Sequence, residues 1–175
     1  MNLKDLLSDK RSSLIKKWRN LLIESYPAGT RRFLKSEKDQ FANPVGHVIS
    51  KDIEILFDEF VHDGDIAKIT ASLENILRIR AVQDMKPSHA LAFVLQFKGL
   101  IREELKRGKP LNGLSGELQA FERKIDDLVL LAFDVYTNCR QRLYEIRVRE
   151  VKEQYGKLLE RTGVFYNISE QEPSP

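Results

Sequence analysis

The stretch NILRIRAVQDMKPSHALAFVL, Asn75–Leu95, decides how this chain folds. Ile76, Leu77, Ile79, Ala81 and Val82 end one apolar run, and Ala90, Phe93 and Val94 begin another. Between them, Pro87 and Ser88 suit the first turn of a new helix, because proline's fixed φ and missing N–H cost nothing there. The stretch therefore predicts a helix, a turn and a second helix. It also sets two arginines among apolar neighbours. Arg80 falls one step beyond Ile66, Ile69, Leu73 and Ile76 on the inward face, where a charge is costly unless it is bonded.

Two readings of these arginines follow. Arg80 could lock the 66–82 helix to the start of the next, with Asp84, Asp126, Asp127 or Asp134 as its carboxylate, or with the orphan carbonyls of a helix C-terminus. Alternatively Arg78, Arg80 and the helix N-terminus at Ser88 form an anion pocket.

Outward from this junction the same spacing recurs. Leu3, Leu7, Leu14, Trp18 and Leu21 mark one face of a first helix, which Tyr26-Pro27 and Gly29 end. Thr30–Leu34 reads as a single turn, and Ser36 with Asp39 as a local cap. Asn43-Pro44 is a start signal, followed by Val45, Ile49, Ile53, Leu56 and Phe60 at helical steps to about residue 62. Asp65 can cap the helix after it. The stretch RGKPLNGLSG, 107–116, is a loop.

The last segment is the longest. Leu118, Phe121, Ile125, Leu128, Ala132, Val135, Cys139, Leu143 and Ile146 recur every three or four residues, and Val151, Tyr155, Leu158 and Leu159 continue after one shift. A helix of ~40 residues would be ~60 Å long, more than one compact domain spans. Val135, Cys139, Leu143 and Ile146 are therefore the candidate interface of a homodimer, with burial under the first helix as the competitor. The period-two alternation of strands is absent. The expectation is an all-α, single-domain bundle of about five or six helices over residues 1–160, with a long C-terminal helix and a flexible tail over 161–175.

Composition narrows the function. The 175 residues are 42% hydrophobic and 31% charged, with a net charge of +3. The first 38 residues carry ten Lys or Arg against four Asp or Glu. Acidic residues are interleaved with the basic ones, so no continuous phosphate-tracking stripe for nucleic acid is expected. No run is long enough to span a membrane and the N-terminus lacks a signal-peptide core, so a cytoplasmic location is expected. Cys139, alone in the sequence, lies on an apolar seam and reads as a small buried hydrophobe. His47, His62 and His89 lack the partner spacing of a zinc site, no catalytic constellation or phosphate loop is present, and Glu103-Glu104 reads as a solvated face. The expectation is no enzyme, no metal and no cofactor. A Phe-rich, globin-like bundle with His89 or His47 as axial haem ligand is a rival, against a capping or surface role for those histidines.

The segments RIRAVQDMKPSHALAF, KKWRNLLIESYP, FLKSEKDQFANPVGHVIS and LLAFDVYTNCRQRLYEIRVREV together resemble the N-terminal domain family of RsbRD, a co-antagonist of the RsbT kinase. The resemblance covers about Leu3 to Leu159. Similar domains stand at the front of some sensor histidine kinases. The resemblance implies an all-helical sensory or signalling input module, often dimeric and related to the stressosome, whose own input domains look like globins without haem. It supplies no catalytic residues. The implied partner is a kinase, an anti-sigma-type regulator or, as in stand-alone copies in sulfate-reducing bacteria, a respiratory or sulfur-metabolism complex. Members that signal directly continue into an output domain, whereas this chain ends about fifteen residues beyond the matched region.

Overall fold

The computed structural model describes residues 2–36, 41–107 and 113–162. They form seven helices and no strand: α1 (Leu3–Asp9), α2 (Arg11–Glu24), α3 (Ala28–Ser36), α4 (Pro44–Val61), α5 (Ile66–Val82), α6 (Pro87–Lys106) and α7 (Ser115–Thr162). The class is all-α with a long last helix, as the periodicity predicts. The count exceeds five or six for two reasons. The chain breaks the first helix at Lys10 (φ −96°, ψ 7°), and the expected single turn after Gly29 is the full helix α3. The Asp39 cap and the 161–175 tail lie, wholly or for the most part, outside the described residues.

The caps follow local chemistry. Asn43 accepts the Gly46 N–H at 2.8 Å, with Pro44 at the first helical position. Asp65 accepts the Ala67 N–H at 2.8 Å. Asn2 and Asp5 cap α1 reciprocally.

The chain divides into two compact units, residues 1–140 and 141–175, and the division falls inside α7. In the first unit, α4 and α5 run antiparallel, joined by Asp52–Asn75 at mid-length and by Glu59–Lys68 near the connecting turn. α2 runs antiparallel to α6. Trp18 stacks on Phe97 with centroids 4.0 Å apart and donates its indole N–H to Phe93 O at 2.8 Å. Phe97 also meets Phe57 edge-on, and Phe60 meets Phe121 of α7. These aromatic rings knit α2, α4, α6 and α7 together.

Glu104 corrects the expectation of a solvated face. It is 5% exposed and held by Lys10, Lys17 and Arg107. A carboxylate so buried needs such neighbours, and two of them come from the other end of the chain.

α4 and α5 stop by the same device. Asp63 (φ 53°) and Asp84 (φ 57°) take left-handed backbone just past the helix ends, a conformation Asp tolerates better than most residues. Gly64 N–H then returns to Glu59 O, and Met85 N–H to Arg80 O. A cation from α7 closes each end. Lys124 donates to Phe60 O at 3.1 Å and to the Asp63 carboxylate. Arg140 donates to Ala81 O at 3.2 Å and to the Asp84 carboxylate.

Lys124 and Lys4 together hold the Asp63 carboxyl down at about 2, from an ordinary 3.8. A depressed carboxylate contributes stability that is fully present above its unfolded value and is lost as pH falls through the folded one. Asp63→Asn should therefore melt below the parent by a constant margin above about pH 4, worth less than about 1 kcal/mol because the group is half exposed. The margin should close as pH falls to about 2. Melts across that range check it, and a margin independent of pH would contradict it.

Candidate functional site

The turn between α5 and α6 gathers several hydrogen bonds around Arg80. Arg80 is 0% exposed. Its Nη1 donates to His89 O at 3.1 Å and Ala90 O at 3.3 Å, and its Nη2 to Leu22 O at 3.0 Å and Ser25 Oγ at 2.6 Å. The guanidinium lies 5.0 Å from the Tyr26 ring centroid and 5.4 Å from that of Phe93. Nε is buried without an acceptor. Tyr136 of α7 donates its hydroxyl to Met85 O beside it.

The carboxylate proposed from sequence is not there. Asp84 pairs with Arg140 and Asp126 with Lys98, while Arg80 is bonded to neutral oxygens. The planar fork lets one side chain reach the C-terminal end of α2 and the first turn of α6 together. Burial without a counter-charge lowers the pKa of the guanidinium.

Arg78 and Ser88 are not brought to this point. Arg78 is exposed and donates to Asn75 Oδ1 at 3.0 Å. It lines a groove between α4 and α5. Ser88 is exposed in the first turn of α6. The three residues thus sit in three different surroundings and frame no common cavity.

His47 and His89 are both exposed, and the His62 ring lies 3.1 Å from Ser8 Oγ and 2.9 Å from Asp58 O. An axial haem ligand needs an imidazole directed into an enclosed apolar pocket, and His47 borders only a solvent-open groove between α4 and α5. The purified protein should therefore show no Soret band and take up no stoichiometric haemin. A strong band lost in His47→Ala or His89→Ala would contradict this. Among the described residues no group of His, Cys, Asp and Glu is arranged to hold a metal, and no helix is long and apolar enough to cross a membrane.

The four seam residues divide as well. Val135 and Cys139 are buried within the first unit. Leu143 is half-buried and Ile146 is exposed in the second. In that second unit the helix carries another line. Tyr144, Val148, Val151, Tyr155 and Leu158 follow one another at steps of four, three, four and three. Val148 is 53% exposed, Val151 48% and Tyr155 63%. This is the spacing of a coiled-coil seam. Val151, Tyr155 and Leu158 stand in the sequence as the continuation after one shift, whereas the interface expected from sequence lies on the earlier line through Val135 and Cys139.

Residues 12–151 match the family model described as RsbT co-antagonist protein rsbRD N-terminal domain. An uncharacterized protein of Archaeoglobus fulgidus is 21% identical over 146 residues, which cover 80% of this chain and 83% of that protein. No solved structure matches the chain.

Proposed function

The chain belongs to the RsbT co-antagonist protein rsbRD N-terminal domain family, and on that premise we propose that it is a non-catalytic helical input module acting through protein–protein contacts in stress or redox signalling. The observation that carries this reading is the exposed heptad line through Val148, Val151 and Tyr155. An apolar stripe of that length on a water-facing helix calls for a partner surface. The spacing suits a second α7, and two-fold dimers are the commonest assembly.

The first unit supplies the other half of the reading. α7 runs through both units, and its Lys124, Tyr136 and Arg140 are bonded to the ends of α4 and α5. A state change at those ends would be felt by the same helix that bears the seam. The partner reading that change would be a kinase or an anti-sigma-type regulator. A respiratory or sulfur-metabolism complex is the alternative client.

Mild oxidation of a Val151→Cys variant tests the pairing. A disulfide-linked dimer is expected, because the seam places the two copies of this position face to face. Absence of the linked species, with the same cysteine fully reactive to a small alkylating reagent, would overturn the proposal.

A further inference from the structure

A second surface, within the first unit, has the chemistry of a docking site. The groove between α4 and α5 has a volume of 540 Å³. Val48 and Ile55 on α4 and Ala71 and Ile79 on α5 give it apolar walls. Lys51 stands on one bank and Lys68 and Arg78 on the other, all exposed. Among its lining residues the one carboxylate is Asp52, which is 5% exposed and accepts Asn75 Nδ2 at 3.1 Å. Lys68 reaches Glu59 at 2.8 Å. Among the described residues Lys51 and Arg78 form no ion pair.

We propose that this groove docks an acidic amphipathic helix of a partner protein. The proposal rests on the reading of the chain as a protein-interaction module and adds a surface and a partner chemistry to it. Length argues for a helix. The lining runs from His47 to Ile55 on α4 and from Lys68 to Ile79 on α5, which is ~12 Å and ~16 Å of helix. A trough of that length, open to solvent, suits two or three turns of a helix and leaves a small molecule largely wet. The apolar walls would take the occupant's i, i+3, i+4 and i+7 side chains.

Charge argues for an acidic occupant. Cations stand on both banks and the carboxylate is sunk and bonded, so flanking Glu or Asp would meet favourable potential along both edges. The Asp52–Asn75 pair, with Ser72 beside it among the lining residues, marks a polar point on the floor between the apolar walls. A hydrogen-bond donor on the occupant's apolar face would settle there and fix its register, as a lone polar residue does in a coiled coil. The concave shape argues against a membrane surface, which is met by a convex amphipathic face.

The test uses the full chain and a labelled peptide of about four turns, with apolar residues at helical spacing and Glu elsewhere, beside its scrambled isomer. Fluorescence anisotropy should show saturable binding of the patterned peptide that weakens with salt. A Lys51→Glu/Arg78→Glu variant should weaken it at least about tenfold. Arg123→Glu, an exposed reversal outside the groove, should leave it unchanged.

No saturable binding by about 100 µM, a range in which even weak specific contacts register, would overturn the proposal. So would equal binding of the scrambled isomer. Binding of phosphatidylglycerol vesicles in place of the peptide, abolished by the same variant, would assign the groove to a membrane and overturn it as well. The assay does not depend on the chain's mass, so a monomeric chain that binds the peptide would sink the α7 seam and leave this site standing.

Discussion

Replacing Arg80 by Ala should lower stability by about 3–5 kcal/mol, because a fully buried side chain and its donors vanish together. Four oxygens lose a donor in that variant: Leu22 O, Ser25 Oγ, His89 O and Ala90 O. The carbonyls keep what bonding their helices give them, so the loss falls short of four full desolvation penalties. A void then opens between Tyr26 and Phe93. For a chain of this size the melting temperature should fall by roughly 10 °C or more.

Arg80→Met separates the two contributions. It fills most of the void but restores no donor, so it should recover part of the loss. No carboxylate is stranded by either change, so the severe penalty of breaking a buried ion pair does not arise. Arg78→Ala removes an exposed side chain and should stay within about 0.5 kcal/mol of the parent. Chemical denaturation of the four proteins checks the order parent, Arg78→Ala, Arg80→Met, Arg80→Ala. An Arg80→Ala variant that melts like its parent would contradict the joint.

The second large effect concerns self-association. Val148→Glu with Val151→Glu places like charges on facing positions of a paired seam, where each also loses its apolar burial. Dimerisation should weaken by at least about a thousandfold, equivalent to roughly 4 kcal/mol or more. Both side chains are about half exposed in the single chain, so the fold of the first unit should be unaffected and its melting should be unchanged. Sedimentation at several concentrations reads the association, and circular dichroism the fold.

Legibility in the sequence varied with the range of the interaction. Caps at Asn43 and Asp65, and the proline starts at Pro44 and Pro87, act within a turn of their own position and were readable. The break at Lys10 was not. Leu3, Leu7, Leu14 and Trp18 keep a helical phase across it, and neither Gly nor Pro marks the place. Arg80's burial follows from its phase on α5, and helix-end carbonyls are one of the two kinds of partner its sequence context offers, beside carboxylates. Which carbonyls they are is not legible, because the backbone oxygens of α2 and α6 carry no residue identity.

Glu104 shows the same limit. Its burial depends on Lys10 and Lys17, which only the packing of α2 against α6 brings near. On α7 two apolar lines meet near residue 143, and both satisfy helical spacing. Only the cover provided by the other helices distinguishes the line through Val135 and Cys139, which is spent in the core, from the line through Val148 and Val151, which is exposed. The α4–α5 groove is not legible in the sequence, because its residues come from two helices, and only Arg78 stands out by its charge.

Pairing of two copies of the chain along the exposed line of α7 is the property on which an input role of this kind depends. Light scattering of the purified full chain at micromolar concentration measures this directly. The expected result is a mass twice that of the 20.3 kDa chain, falling to a single chain in the Val148→Glu/Val151→Glu variant. A clean single-chain mass for the parent would show that α7 does not pair.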